Sequence, residues 1–270
     1  MFPKMVRIRQ VLPAQSISDP SADAREKIEG YAESHKLGTL KSKKIGITAG
    51  SRGISSISSI LKAVVDFVKN REGIPFLIPA MGSHGGATAD EQIDILVSLG
   101  ITEESVGAPI VRSIETVKIG DTSGGAPVFI NRAALEMDGL FVVNRVKPHT
   151  DFSGKIESGI CKMCAIGLGA YEGALATHSC ALTHGYENTI MEAAGAIMKK
   201  WPLVVAVAIL ENWKGETAGI EVVPESSIFD REPELRYVSD GNPDTVTVPE
   251  AFKHKINEDA LEGRELIIIP

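Results

Sequence analysis

Lys43–Val68, KKIGITAGSRGISSISSILKAVVDFV, sets an apolar run, a glycine-bearing loop and a long amphipathic helix in immediate succession. The run at about 45–49 has the length and β-branched content of a strand, and the glycines after it break the pattern. Apolar residues then recur at helical spacing over about 54–70. The same unit repeats downstream, with a strand at 75–80, a helix at 88–99, a strand at 139–144, helices to about 200 and a strand at 203–210. Such alternation predicts an α/β fold, a mainly parallel sheet flanked by helices in a Rossmann-like three-layer arrangement. Two segments break the rhythm: Ile110–Asn131 reads as a small antiparallel hairpin with a Ser-Gly-Gly turn, and the polar, proline-bearing Glu221–Asn257 reads as a surface excursion. The closing GRELIIIP, with its strand-like Leu266–Ile269, reads either as an edge strand of the first domain or as the beginning of a second. The division taken here is 1–260 and 261–270.

A chain of 270 residues, 43% hydrophobic and 23% charged, has an ordinary globular composition, which excludes disorder. Its net charge of -7, with no basic stripe interleaved with aromatics, argues against nucleic-acid binding. The longest apolar run, Pro202–Leu210, is far short of a membrane span, and no leader pattern opens the chain, so a cytoplasmic protein without a membrane partner is expected. Cys161, Cys164 and Cys180 fall close together in sequence, which suggests chemistry rather than a disulfide framework.

The first loop is similar to the nucleotide fingerprint of short-chain dehydrogenases. It departs at two glycine positions, where Ala49 and Ser55 stand. Those enzymes also require Tyr-x-x-x-Lys, whereas Tyr31, Tyr171, Tyr186 and Tyr237 are followed four places on by His35, Leu175, Ile190 and Gly241. A glycine pattern of this quality is a weak signal.

In a parallel sheet the loops after the strands share one edge, where ligands bind. Three such loops each deliver a polar residue: Arg52 in GSRGI, His84 in GSHGGA and His149 in VKPHTDFSG. Imidazole titrates near neutrality, so a pair across a cleft can serve as proton donor and acceptor by turns. Glycines beside Arg52 and His84 would let backbone N–H groups approach an anion. His35, His184 and His254 read as capping or surface residues.

Lys155–Cys180, KIESGICKMCAIGLGAYEGALATHSC, gathers the remaining reactive groups. Cys161, Cys164, His178 and Cys180 admit a soft-metal or redox site, although the apolar neighbours of the first two favour core cysteines there. Lys162 stands in an apolar helix, where burial would lower its pKa toward a nucleophilic amine.

Taken together, AGSRGI, PAMGSHGGAT, VNRVKPHTDFSG and ESGICKMCAIGLGAYEGALATH resemble the amino-terminal domain of the nickel-pincer lactate racemase family, over essentially the whole chain. The resemblance implies an isomerase, a racemase or epimerase of a 2-hydroxy acid, with 1–260 as its cofactor-binding catalytic domain and 261–270 as the start of a carboxy-terminal one. It implies a nickel pincer nucleotide attached through Lys162, nickel ligated by His178, and hydride transfer to and from that cofactor. His84 and His149 would be the proton relays and Arg52 the substrate-side cation, with Gly50, Gly53, Gly85 and Gly167 giving backbone contacts to the cofactor. The implied partners are the small 2-hydroxy acid and the cofactor-synthesis enzymes; a homo-oligomer is compatible with it. The alternatives are the metal or redox module above and a non-catalytic half-enzyme binding a phosphate-bearing ligand.

Departures from the family pattern point to a substrate other than lactate. Ala49 stands where the pattern has an aspartate, about three additional residues separate His149 from Lys162, and AIGLG lacks a proline.

Overall fold

The computed structural model describes residues 8–11, 15–149, 152–238 and 265–268. In chain order the elements are β1 (Ile8–Val11), α1 (Pro20–Ser34), β2 (Lys44–Ala49), α2 (Ile57–Asn70), β3 (Ile74–Pro79), α3 (Ala89–Ser98), α4 (Glu103–Val106), β4 (Thr116–Asp121), β5 (Pro127–Asn131), α5 (Arg132–Leu135), β6 (Gly139–Arg145), α6 (Ile160–Lys162), α7 (Ala170–His184), α8 (Tyr186–Met198), β7 (Val204–Glu211), β8 (Thr217–Pro224), α9 (Ile228–Val238) and β9 (Glu265–Ile268). A π-helical turn, Met163–Leu168, joins α6 to α7.

The five-stranded sheet runs in the order β3-β2-β6-β7-β8. Its first four strands are parallel and β8 returns antiparallel along β7. All eight residues of β7 are buried, as expected of a strand paired on both edges and covered on both faces. One core cluster packs α1, α2 and α3 against one face; another packs the π turn, α8 and α9 against the other. This is the layered α/β fold expected from the strand–helix alternation. The chain moves from β2 to β3 on one side and later enters β6 on the other. The order therefore reverses at β2, and the crevice beyond its carboxyl end is where such sheets bind ligands. The expected hairpin is β4–β5, a separate antiparallel ribbon.

The surface excursion expected over Glu221–Asn257 is corrected in part. Glu221–Pro224 completes β8, and its polarity belongs to the solvated face of an edge strand. Ile228–Val238 is a helix whose Ile228 and Leu235 enter the core, while residues 239–257 lie outside the described set. A further helix, α1, had no place in the strand–helix reading, although its start is marked by Asp19, which accepts from the Ala22 amide, and by Pro20 in the first turn. At the other end β9 pairs antiparallel with β1 in a two-stranded sheet of their own. The 260/261 boundary falls outside the described residues. Among the described residues no helix is long and apolar enough to cross a membrane.

Candidate active site

The carboxyl ends of β2, β3 and β6 open into a cleft of about 510 Å³. Arg52, His84, His149, Lys162 and His178 all line it, together with Gly50 and Gly167. Gly53 and Gly85 are not among the lining residues. A side chain at Gly53 would meet only Leu99, at an ordinary 3.9 Å, whereas one at Gly85 would come within 3.1 Å of the Gln92 backbone amide, so close packing restricts Gly85 alone. Gly85 also has φ +65°, a left-handed turn conformation that favours glycine.

Each loop is fixed by contacts that spacing did not reveal. Ser55, at the back of the Arg52 loop, donates its amide to the buried Glu211 at 2.6 Å and accepts at its carbonyl from Thr217 Oγ1 at 3.1 Å. Glu211 also pairs with Arg145 at the end of β6. The Gln92 side chain donates to the His84 carbonyl at 3.3 Å, and His84 Nδ1 meets Ser51 Oγ at 2.5 Å, joining the second loop to the first. Glu157, also buried, accepts from the amides of His149 (2.6 Å) and Gly154 (3.0 Å) and so closes the third loop on itself.

Sixteen residues separate Lys162 from His178, which on one regular α-helix is about 160° of rotation, nearly opposite faces. The structure avoids that outcome by changing helix type between them. The π turn widens the winding, and Ala170, with φ 49°, breaks the direction at the first residue of α7. Gly167 allows the close approach this needs, because a Cβ there would lie 2.7 Å from both the Ala80 carbonyl oxygen and Met163 Sδ. Lys162 and His178 consequently line the same cleft.

An aromatic chain runs along that wall. The His149 ring stacks on Phe152 at 4.2 Å, Phe152 on Tyr186 at 4.4 Å, and Tyr186 meets His178 edge-on at 5.7 Å. Lys162 Nζ sits 5.7 Å from the Phe152 ring centre. Neither Tyr186 nor Phe152 was singled out as a site residue in the sequence: Tyr186 belongs to no glycine loop or reactive cluster, and Phe152, although in the VKPHTDFSG loop, carries no polar group.

Among the described residues the lining includes Arg52, Arg145, Lys147 and Lys162 and no Asp or Glu, in a chain whose net charge is -7. This described lining suits anions. Partial burial, then the charges of Arg52 and Lys162, hold the His84 imidazole below its ordinary pKa. Partial burial and Lys162 act the same way on His178. Both rings are kept predominantly neutral at pH 7, the form that accepts a proton or ligates a metal. His178 Nδ1 lies 3.3 Å from the Tyr186 hydroxyl, which leaves Nε2 for a ligand.

The four soft donors do not converge. Cys161 and Cys164 are fully buried in the core, where desolvation pushes both thiols up, and Cys180 meets the Gly124 carbonyl at 3.5 Å. Among the described residues no three His, Cys, Asp or Glu side chains gather as a metal site would need. Of the remaining histidines, His35 stacks on Tyr31, His184 contacts Glu192 and Ser123, and His254 lies outside the described residues.

Comparison with known proteins bears on this arrangement. The family model described as lactate racemase N-terminal domain matches residues 46–189, just over half of the chain, spanning all three loops and the helix pair behind them. The chain belongs to this family. Among solved structures, the lactate racemase apoprotein from Thermoanaerobacterium thermosaccharolyticum superposes with a TM-score of 0.60 at 20% identity, which establishes a shared fold. That match covers 83% of this chain and 57% of the racemase. No curated protein sequence matches significantly.

Proposed function

We propose that this member of the lactate racemase N-terminal family is the catalytic part of a nickel-dependent racemase or epimerase of a 2-hydroxy acid other than lactate. The observation that carries it is the meeting of Lys162, His178, Arg52, His84 and His149 in one cleft. The cleft has the size of an ordinary small-molecule site, and its cations suit both a nucleotide phosphate and a substrate carboxylate. Lys162 would hold the pincer nucleotide through its amine, and His178 would ligate nickel through neutral imidazole, a donor that suits nickel(II). When bound, that group supplies acceptance and return of hydride at the substrate's Cα.

The protein's own part is orientation and proton transfer. Arg52 fixes the carboxylate with a forked, charge-assisted contact. One imidazole accepts the hydroxyl proton as the alcohol is oxidised to the 2-keto acid, and the other returns a proton when the opposite enantiomer forms. Ala49 leaves the base of the Arg52 loop without a carboxylate, which supports a substrate preference different from that of enzymes carrying an aspartate there.

The test is to produce the chain together with the cofactor-synthesis enzymes. Intact mass should show an adduct of mononucleotide size, metal analysis should show nickel, and a panel of single-enantiomer 2-hydroxy acids should lose optical purity. Protein that remains without adduct and without nickel would sink the proposal. The 57% coverage of the solved racemase favours a second reading, in which this chain binds the cofactor but does not turn over alone. A loaded but inactive chain selects it.

Arg52 also gives a pH prediction. Its charge is the second cause, after burial, of the low His84 pKa. Arg52→Gln should therefore raise that pKa, so the neutral base is lost at higher pH and the acid limb of kcat moves toward alkaline pH. A limb that stays in place while only KM rises would show that Arg52 does not reach His84 electrostatically.

A further inference from the structure

We propose that Glu232 is a positioning residue for Lys162, acting from α9 on the core side of the turn that carries it. The proposal rests on the role given to Lys162 above, but its first readout needs no cofactor.

Glu232 is 4% exposed, in a segment whose sequence reads as surface. Its Oε2 accepts the Cys161 amide at 2.9 Å, and the Ile160 amide and the Cys161 side chain also bond to the carboxylate. Ile160 and Cys161 are the residues immediately before Lys162 and form the first turn of α6 with it. The preceding residue, Gly159, offers no side-chain cap. Glu232 thus takes the place of a local capping residue, from a different part of the chain. Gly159 makes room for it, because a Cβ there would lie 2.3 Å from Glu232 Oε1. The turn is held from the other side by Asn144, whose side-chain amide donates to the Gly159 carbonyl at 2.8 Å. Lys162, the next residue after Cys161 in this doubly anchored turn, lines the cleft.

Stability alone does not account for this carboxylate. Its Oε1 has no hydrogen-bond partner, and among the described residues no basic side chain pairs with it. Burying such a group is costly, and an apolar residue of similar volume would ordinarily serve a core better. What an apolar residue cannot do is receive the amides and hold the Lys162 turn in one orientation. Precision of that kind matters at a reacting group, where a misplacement of about 1 Å can cost about a hundredfold in rate.

The test separates reach from charge. Glu232→Gln keeps the length and an acceptor; Glu232→Asp keeps the carboxyl group but is one methylene shorter; Glu232→Ala keeps neither. In unloaded protein, hydrogen exchange of the peptide spanning 158–164 should accelerate about tenfold or more in Glu232→Ala and Glu232→Asp and stay close to wild type in Glu232→Gln. Gly159→Ala, which displaces the carboxylate, should behave like Glu232→Ala. Protein coproduced with the cofactor-synthesis enzymes should lose its Lys162 adduct in the same variants and retain it in Glu232→Gln. Unchanged exchange at 158–164 in Glu232→Ala would overturn the proposal, as would Glu232→Asp protecting the peptide as well as Glu232→Gln does. Should Glu232→Ala accelerate exchange throughout the chain, the Gln and Asp variants decide, since each keeps a polar side chain of similar size. If exchange follows the predicted pattern but even wild-type protein takes no adduct, it is the cofactor role of Lys162 that fails.

Discussion

Lys162→Ala is expected to leave a folded protein with no adduct, no stoichiometric nickel and a racemisation rate at the uncatalysed level. The loss should be complete because the tether removes the hydride chemistry itself; enzyme accelerations of about a millionfold or more are at stake. Lys162→Arg should fail equally, since a guanidinium keeps the charge but cannot form the amide-type bond. The cost to folding should be small. Lys162 is half-buried, and its contact with the Phe152 ring is worth about 1–2 kcal/mol. Cys161→Ala and Cys164→Ala supply the contrast: they should lower the melting temperature by disturbing the core and leave metal content intact. Nickel retained by Lys162→Ala and lost from the cysteine variants would reverse the assignment in favour of a thiolate site.

How much of this was legible in the sequence depends on the kind of interaction involved. The sheet was legible because strand and helix periodicities differ and the pattern alternates, and the edge at which Arg52, His84 and His149 meet follows from parallel strands alone. The pairing of Lys162 with His178 was not available from spacing. Sixteen residues on a regular helix place them on opposite sides, and only the π turn and the Ala170 break bring both to the cleft. Those irregularities have no periodic signature. The glycines are less legible still: Gly53 and Gly85 flank Arg52 and His84 alike, yet only Gly85 is restricted by a left-handed φ and a close backbone neighbour.

Buried carboxylates were the least legible class. Glu211, Glu157 and Glu232 each accept main-chain amides from a loop or turn that bears a cleft residue. Their partners are backbone groups, which every residue possesses, so nothing in the sequence marks the pairing. A glutamate among polar neighbours, as in FDREPEL around Glu232, reads as solvated surface until the helix is seen to turn that position inward.

Exchange of the two relay histidines should have the next largest effect, and strand order says what form it takes. Because the sheet runs β3-β2-β6, the His84 loop and the His149 loop lie on either side of the Arg52 loop. A carboxylate held by Arg52 therefore has an imidazole on each flank. Removing either one should lower steady-state racemisation about a hundred- to ten-thousandfold, since both enantiomers must be handled in each full cycle. The two variants should nevertheless differ in a single turnover. His84→Asn should still oxidise one enantiomer to the 2-keto acid and His149→Asn the other, each variant being blind to its partner's substrate. Ser51→Ala should give a milder version of the His84 phenotype, because it removes the hydroxyl at Nδ1 that holds the ring while leaving the ring in place. Rapid-quench measurement of keto acid from each pure enantiomer decides the matter. If both variants lose both half-reactions equally, the histidines act as one unit rather than as opposed relays, and the division of labour implied by their loops is wrong.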